Sequence, residues 1–335
     1  MSTILDRLNN LDKLVGKTPL VEILFKYHGK EMKVYTKLEY YNYTGSIKDR
    51  MALHILKKAY NSGLIKDDYT IIEATSGNTG ISFSALGSFL GNPVKIIMPD
   101  WMSNERKLLL KAFGANIELV SKSDGGFIKC VQLAEESAYN NPKVFLPSQF
   151  SNEANVDAHF LSTGPEIYNE LNKINKIPNA FIAGVGTGGT VMGVGKYLKY
   201  KNPFVKIYPL EPSNSPTLST GYVTGHHRIQ GISDEFIPKI IKLDKLDEVI
   251  NVDDGDSIIM AQMLSSKLGL GVGISSGANF IGAIKVLDKL GSDSIVVTVF
   301  PDDNKKYLTT DLMKIEPIKD GFISSNIELL EMKVI

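Results

Sequence analysis

Four short loops of small polar residues hold the side chains best placed for chemistry. They are residues 44–50 (TGSIKDR), 75–80 (TSGNTG), 184–190 (GVGTGGT) and 273–277 (GISSG). Each follows an extended stretch or opens a helical pattern, so converging on one ligand they would offer many backbone N–H donors. Lys48 stands at the start of a helical pattern within the first loop. An amine held away from water and near a positive helix end has a lowered pKa, and a neutral amine can form a Schiff base. A lone lysine is far more often a surface charge; the small-residue surroundings argue for the reactive reading. The third loop follows the apolar stretch NAFIAGVG and opens a helix from about Val191. Free N–H groups and the helix dipole suit a phosphate there, with Thr187 and Thr190 adding hydroxyls and no Lys or Arg contributing. Gly184, Gly186 and Gly189 also satisfy G-x-G-x-x-G, and the next strand candidate ends at Glu211. By itself this loop leaves open a nicotinamide-dinucleotide site, another phosphate ligand and a ligand-free turn.

The elements that must carry these loops alternate along the chain. Strand candidates are MKVYTKLEY, YTIIEATSG, VKIIMPD, ANIELVS, KVFLPSQF, NAFIAGVG, VKIYPLEP and SIVVTVFPDD. Helical patterns such as KDRMALHILKKAYNSG, NTGISFSALGSFLG and GANFIGAIKVLDKLG lie between them, several ending at Gly. Apolar runs without clean alternation indicate strands buried on both faces, hence an α/β architecture with parallel sheets. In open α/β sheets the chemistry sits beyond the carboxyl ends of strands.

At 335 residues the chain has room for about two domains. Its 37 basic and 37 acidic residues cancel, which leaves no electrostatic footprint for nucleic acid or an acidic membrane. Cys130 is the only cysteine, so an intrachain disulfide is excluded. A single thiol suits a reducing, cytoplasmic location and reads best as a small core residue. The N-terminus lacks a signal-peptide pattern, and no apolar run is long enough to span a membrane. The His226-His227 pair has no third metal ligand at sensible spacing and reads as a solvent-exposed loop.

The 42–50, 75–80, 186–190, 229–232 and 273–277 motifs, in that order, resemble the cysteine synthase/cystathionine β-synthase family of fold type II pyridoxal-phosphate enzymes. The resemblance runs from the GKTPL at Gly16 to the YLTT at Tyr307, nearly the whole chain. It implies a tryptophan synthase β-subunit-like fold, with two α/β domains of mostly parallel strands and the cofactor between them. The smaller, mobile domain would span residues 44–150 and hold the substrate carboxylate. The larger would combine residues 1–43 and 151–315, leaving 316–335 as a C-terminal extension. Lys48 would hold pyridoxal 5′-phosphate as a Schiff base and then shuttle the Cα proton. Asn78 would hydrogen-bond the cofactor's phenolic oxygen, and Gly186, Thr187, Gly188, Gly189 and Thr190 would cup its phosphate. Ser276 would face the pyridine nitrogen, with helix capping as the plainer role for Ser275 or Ser276. Thr75, Ser76, Thr79 and Gln149 would hold the substrate carboxylate, and Ser233 would border the substrate. A neutral serine at the pyridine nitrogen weakens the electron sink and favours β-elimination over transamination.

The sequence departs from the family at Tyr43, where a proline is usual, and at Ser233-Asp234-Glu235, where cysteine synthases usually carry Gly-Ala-Gly. That loop borders the substrate's β-carbon in the family. A fixed carboxylate there repels hydrosulfide by roughly 1–4 kcal/mol at contact, depending on the local dielectric. It can also accept a proton from water. The expectation is therefore β-replacement through an aminoacrylate intermediate: L-cysteine and water give L-serine and hydrogen sulfide, with Asp234, or less so Glu235, activating the water. The alternative is O-acetylserine sulfhydrylase, making cysteine from O-acetylserine and sulfide. Either way the partners are a small amino acid (cysteine, serine or O-acetylserine) and sulfide, with no nucleic acid and no membrane, in a homodimer as the family usually forms.

Overall fold

The computed structural model describes residues 3–75 and 77–335. Two sheets carry the fold. The strands are β1 (Leu20–Tyr27), β2 (Lys30–Leu38), β3 (Thr70–Ala74), β4 (Val94–Pro99), β5 (Asn116–Val120), β6 (Val144–Phe145), β7 (Ala180–Gly184), β8 (Lys206–Pro212), β9 (Ile250–Val252), β10 (Val296–Phe300) and β11 (Ile327–Val334). A seven-stranded sheet runs β11-β1-β2-β10-β7-β8-β9, and a four-stranded sheet runs β5-β4-β3-β6. All pairings in the smaller sheet are parallel, as are those from β2 through β10 to β9 in the larger. Strands β7 and β10 are buried almost throughout, which is why each reads as a continuous apolar run.

The edge of the large sheet differs from the sequence reading. β1 and β2 form an antiparallel hairpin whose two turn residues, His28 and Gly29, both have positive φ (49° and 77°). That is the backbone of a primed hairpin turn, here written His-Gly where Asn-Gly is the common signal. Beyond β1 the C-terminal segment adds β11, antiparallel, with Val21 opposite Val334 and Tyr27 opposite Ile327. The helix Asp254–Leu268 also escapes its sequence pattern, because Asp254 and Asp256 are buried in its first turn.

In both sheets the strand order reverses direction beside the site. β3 lies between β4 and β6, and β7 lies between β8 and β10. The loops leaving β3, β6, β7 and β10 therefore diverge at switch points and open a crevice. Helix Lys48–Asn61 is pinned to the end of β10: Ile47 N–H donates to Pro301 O at 2.8 Å, and Ser46 bridges Asp302.

Candidate active site

Lys48 is the first residue of its helix, and its neighbours lock that start in place. The buried Asp49 carboxylate accepts from Thr44 N–H (2.7 Å), Thr44 Oγ1 (2.6 Å) and Ser82 Oγ (2.6 Å). Arg50, equally buried, spans Glu39 (2.6 Å) and Glu166 (2.7 Å). Burial pulls Glu166 upward, but the Arg50 hydrogen bonds and charge overcome it and hold this carboxyl at about 2. The two residues after Lys48 thus fix a helix terminus and take no part in the cavity.

One cavity gathers Lys48, Thr75, Asn78, Thr79, Gln149, Gly186, Thr187, Thr190, Asp234 and Ser275. Burial lowers the Lys48 amine, and the charges of Asp234 and Asp302 only partly offset that effect. The amine is accordingly shifted toward its neutral, nucleophilic form. Thr79 Oγ1 donates to Gln149 Oε1 at 2.6 Å, while Gln149 Nε2 donates to Ala74 O, so β3 and the loop after β6 form one wall. Ser76 lies outside the described residues.

The 186–190 segment has the shape of a phosphate cup. Its helix starts at Gly189, two residues before the expected Val191. A Cβ on Gly186 would stand 2.3 Å from Gly231 O, and one on Gly189 would stand 1.9 Å from Asn155 Oδ1. Only glycine lets the backbone pass so close. Gly188 is the N-cap of that helix. Asn155 Nδ2 donates to Thr187 Oγ1 at 2.9 Å, which leaves the Thr187 proton free to point at an anion. Thr190 Oγ1 approaches His159 Nε2 at 3.4 Å, and burial holds His159 well below its ordinary value, hence neutral. Ser276 Oγ and Asn78 Oδ1 are buried without a protein partner. Neither Ser275 nor Ser276 caps the helix Ile274–Leu290, whose N-cap, Gly273, offers no side chain. Lysine, glycine cup and unpaired polar atoms together fit pyridoxal phosphate: Lys48 for its aldehyde, the 186–190 backbone and threonines for its phosphate, Asn78 for its phenolic oxygen, and Ser276, which does not itself line the cavity as Ser275 does, for its pyridine nitrogen.

The acidic loop divides. Asp234 lines the same cavity as Lys48, and burial pushes it up to about 6 against the opposing pull of Lys48. Glu235 is exposed and points toward Gly126, on the outer cleft. Ser233 does not reach the inner cavity: it faces the outer cleft, and its hydroxyl donates to Ser215 O at 3.1 Å. Its φ of 53° is the left-handed turn that swings the chain so that Asp234 points inward. His227, expected in solvent, is half-buried, and its Nε2 lies 3.0 Å from Ser233 O.

Three lining residues went unread in the sequence. Asp302, fully buried, accepts from Asn78 Nδ2 at 2.7 Å and from Tyr307 Oη. Asn78 therefore spends one amide proton on Asp302 and keeps the other. Arg106 is buried against the Tyr307 ring, 4.9 Å from its centroid, and donates to Gln230 Oε1. Asp302 lies two residues past the end of β10, so the strand-end rule marks its position; Arg106 sits inside a helix and carried no local signal. Glu211, the acidic partner a dinucleotide would need, already accepts from Leu218 N–H, Ser219 N–H and Ser219 Oγ. Cys130 is buried, with its thiol pushed up to about 12 by that burial. Among the described residues no His/Cys/Asp/Glu cluster could hold a metal, and no helix is long and apolar enough to cross a membrane.

Two α/β layers with a lysine-bearing crevice between their strand ends are the architecture of a fold type II pyridoxal-phosphate enzyme. The chain belongs to the pyridoxal-phosphate dependent enzyme family, whose model matches residues 11–302. It is 41% identical to the cysteine synthase of Staphylococcus aureus over 91% of this chain and 96% of that one. A hydrogen sulfide-producing enzyme from Fusobacterium nucleatum is 58% identical, with a TM-score of 0.96 over 99% of this chain and 100% of that one. An aspartate-to-asparagine variant of that enzyme has been solved in complex with an α-aminoacrylate intermediate. A second hydrogen sulfide-producing enzyme of the same organism is 38% identical, with a TM-score of 0.82 over 90% of this chain and 99% of that one.

Proposed function

We propose that this enzyme converts L-cysteine and water to L-serine and hydrogen sulfide. The observation that carries the reading is a carboxylate, Asp234, lining the same cavity as Lys48. Bound pyridoxal phosphate supplies the electron sink that loosens the substrate's Cα proton and its β-substituent. Thr75, Thr79 and Gln149 hold the substrate carboxylate, which orients the Cα–H bond. The Lys48 amine, shifted toward its neutral form by burial, takes the Cα proton at Nζ. Sulfide leaves from the β-carbon, and the negative Asp234 discourages hydrosulfide from returning. Asp234 accepts a proton from water as the oxygen bonds to that carbon, Lys48 Nζ returns its proton to Cα to complete serine, and the proton on Asp234 passes to the departing hydrosulfide, which leaves as hydrogen sulfide. Glu235, exposed on the outer cleft, has no such role.

The enzyme incubated with L-cysteine is expected to yield serine and sulfide in equal amounts. Asp234→Asn should lower serine formation by roughly 10²- to 10⁴-fold. Pyruvate and ammonia in place of serine would replace hydration with simple elimination. A second reading, O-acetylserine sulfhydrylase, draws on the cysteine synthases among the relatives. Faster cysteine synthesis from O-acetylserine and sulfide than serine formation from cysteine would favour it.

Residues 44–150 act as the smaller, mobile part that closes on the substrate, and 1–43 with 151–315 as the larger phosphate-holding part. The enzyme works as a homodimer in the cytoplasm, consistent with its lone buried thiol and with the prevalence of closed symmetric dimers.

A further inference from the structure

We infer that the segment after residue 310 is a strap that positions the Asp234 loop by holding Arg228, chiefly through the bidentate Arg228–Glu316 ion pair with Asp311 as a looser second. The inference rests on the reading of Asp234 given above only for its kinetic consequence. Residues past 302 lie outside the family match, and the mechanism uses none of them. They are nevertheless tied closely to the site. Glu316 is nearly buried and grips Arg228 with both oxygens, accepting from Nη1 at 2.7 Å and Nη2 at 2.6 Å. Bidentate charged pairs of this kind fix orientation as well as distance. Asp254 takes the other side of Arg228, accepting its backbone N–H at 3.0 Å and Nη2 at 2.7 Å, while Asp311 stands 3.4 Å from Nη1.

The strap is itself held along helix Asp254–Leu268. Gln262 Nε2 donates to Leu312 O and Lys314 O at 2.9 and 2.8 Å. Asp256 accepts from Ile323 N–H and Ser324 N–H, both at 3.0 Å. A Cβ on Gly255 would come within 2.6 Å of Glu316 Oε1, so the helix surface is shaped to admit that carboxylate.

From Arg228 the restraint passes to the catalytic loop in a closed circuit. The adjacent His227 hydrogen-bonds Ser233 O at 3.0 Å, which closes residues 227–233 into a ring. Ser233 N–H donates to Val185 O at 2.7 Å, beside the phosphate cup, and Ser233 Oγ donates to Ser215 O. Ser233 is held in a left-handed conformation that non-glycine residues adopt only when their surroundings impose it, and Asp234 follows directly. Glu316 is thus a positioning residue: it does not line the Lys48 cavity and anchors the base of the ring that aims Asp234.

The test compares holoenzymes of the wild type, Glu316→Gln, Glu316→Asp and Asp234→Asn by hydrogen exchange and product analysis. Glu316→Gln is expected to speed amide exchange at residues 231–234 by about tenfold while exchange in the β7 core stays unchanged. It should also shift products from serine toward pyruvate by several-fold, with Glu316→Asp restoring most of both. Wild-type exchange and product ratio in Glu316→Gln would overturn the strap. If exchange rises while Glu316→Gln and Asp234→Asn both keep full serine output, the strap stands and the Asp234 reading falls. If only Asp234→Asn is impaired, the reverse holds.

Discussion

Lys48 and Asp234 influence each other through charge before any substrate arrives. Asp234 supports the lysine's proton, the lysine supports the carboxylate's negative charge, and burial opposes both charged forms. The balance leaves Asp234 at about 6, a value matched to a base working near neutral pH. Only its ionised form accepts a proton from water, so serine formation is expected to climb as pH rises through about 6. At one pH unit below that midpoint the rate should be about a tenth of the plateau. The pH profile of the serine-forming rate checks this, and an identical acidic limb in a residually active Asp234→Asn variant would assign the limb to another group. Ser233 and Glu235 flank Asp234 in sequence yet are turned to a hydroxyl–backbone contact and to solvent. Residue type marked the departure from the family; the left-handed backbone at Ser233 selected which of the three side chains enters the cavity.

At the scale of elements, the cup after β7 and the acidic loop are one mechanical unit. Gly186 passes so near Gly231 O that a methyl group at 186 must push two backbones apart. Gly186→Ala is therefore expected to weaken cofactor retention by at least about tenfold and to reduce serine formation together with it. Cofactor absorbance after dialysis measures the first effect, and tight retention in the variant would contradict the close approach. Strand β3 carries a second stress. Burial pushes Glu73 up to about 8, although it accepts backbone N–H bonds from Ala74 and Gln149. A group protonated in the folded state and ionised in the unfolded chain costs stability as pH rises from its ordinary 4.5 through about 8. Thermal melts of the wild type should thus fall between pH 6 and pH 8.5. Glu73→Gln, which cannot ionise, should flatten that fall, and equal slopes in the two proteins would remove Glu73 as its cause.

For the whole molecule, the site exists only where two sheets meet. Asn78 reaches Asp302 across the crevice at 2.7 Å, Thr309 N–H reaches Glu105 at 2.8 Å, and Ser103 Oγ reaches Lys306 O at 3.1 Å. The apolar interior is divided into four clusters, one of which joins Leu8, Leu11, Ala154 and Ala158 to Met51 and Ile71, and the buried Arg50 pairs with Glu39 and Glu166 add to these links. Small-angle scattering of the holoenzyme is expected to report twice the chain's 36.8 kDa and a smaller radius of gyration when substrate is added. A one-chain mass would remove the dimer, and an unchanged radius would remove the closure.

The loops with Lys48, Asn78 and Gly186 were legible in the sequence because each is a contiguous run whose chemistry is local: small residues, a helix start, a strand end. The central strands β3, β4, β7, β8 and β10 were legible because burial on both faces makes them mostly apolar, interrupted only by single polar residues such as Glu73, Lys95 and Glu211. Contacts distant in sequence were not legible. β11 pairs with β1 some three hundred residues away, and Arg106, Asp302 and Tyr307 meet only because two sheets face each other. His227 reads as a solvent-facing loop residue until Ser233 comes beside it, and nothing local marks Arg228 as the partner of Glu316. Sequence determined which groups could do the chemistry. Tertiary structure decided which of them share a cavity, because burial and the charge of distant neighbours set both a side chain's direction and its proton.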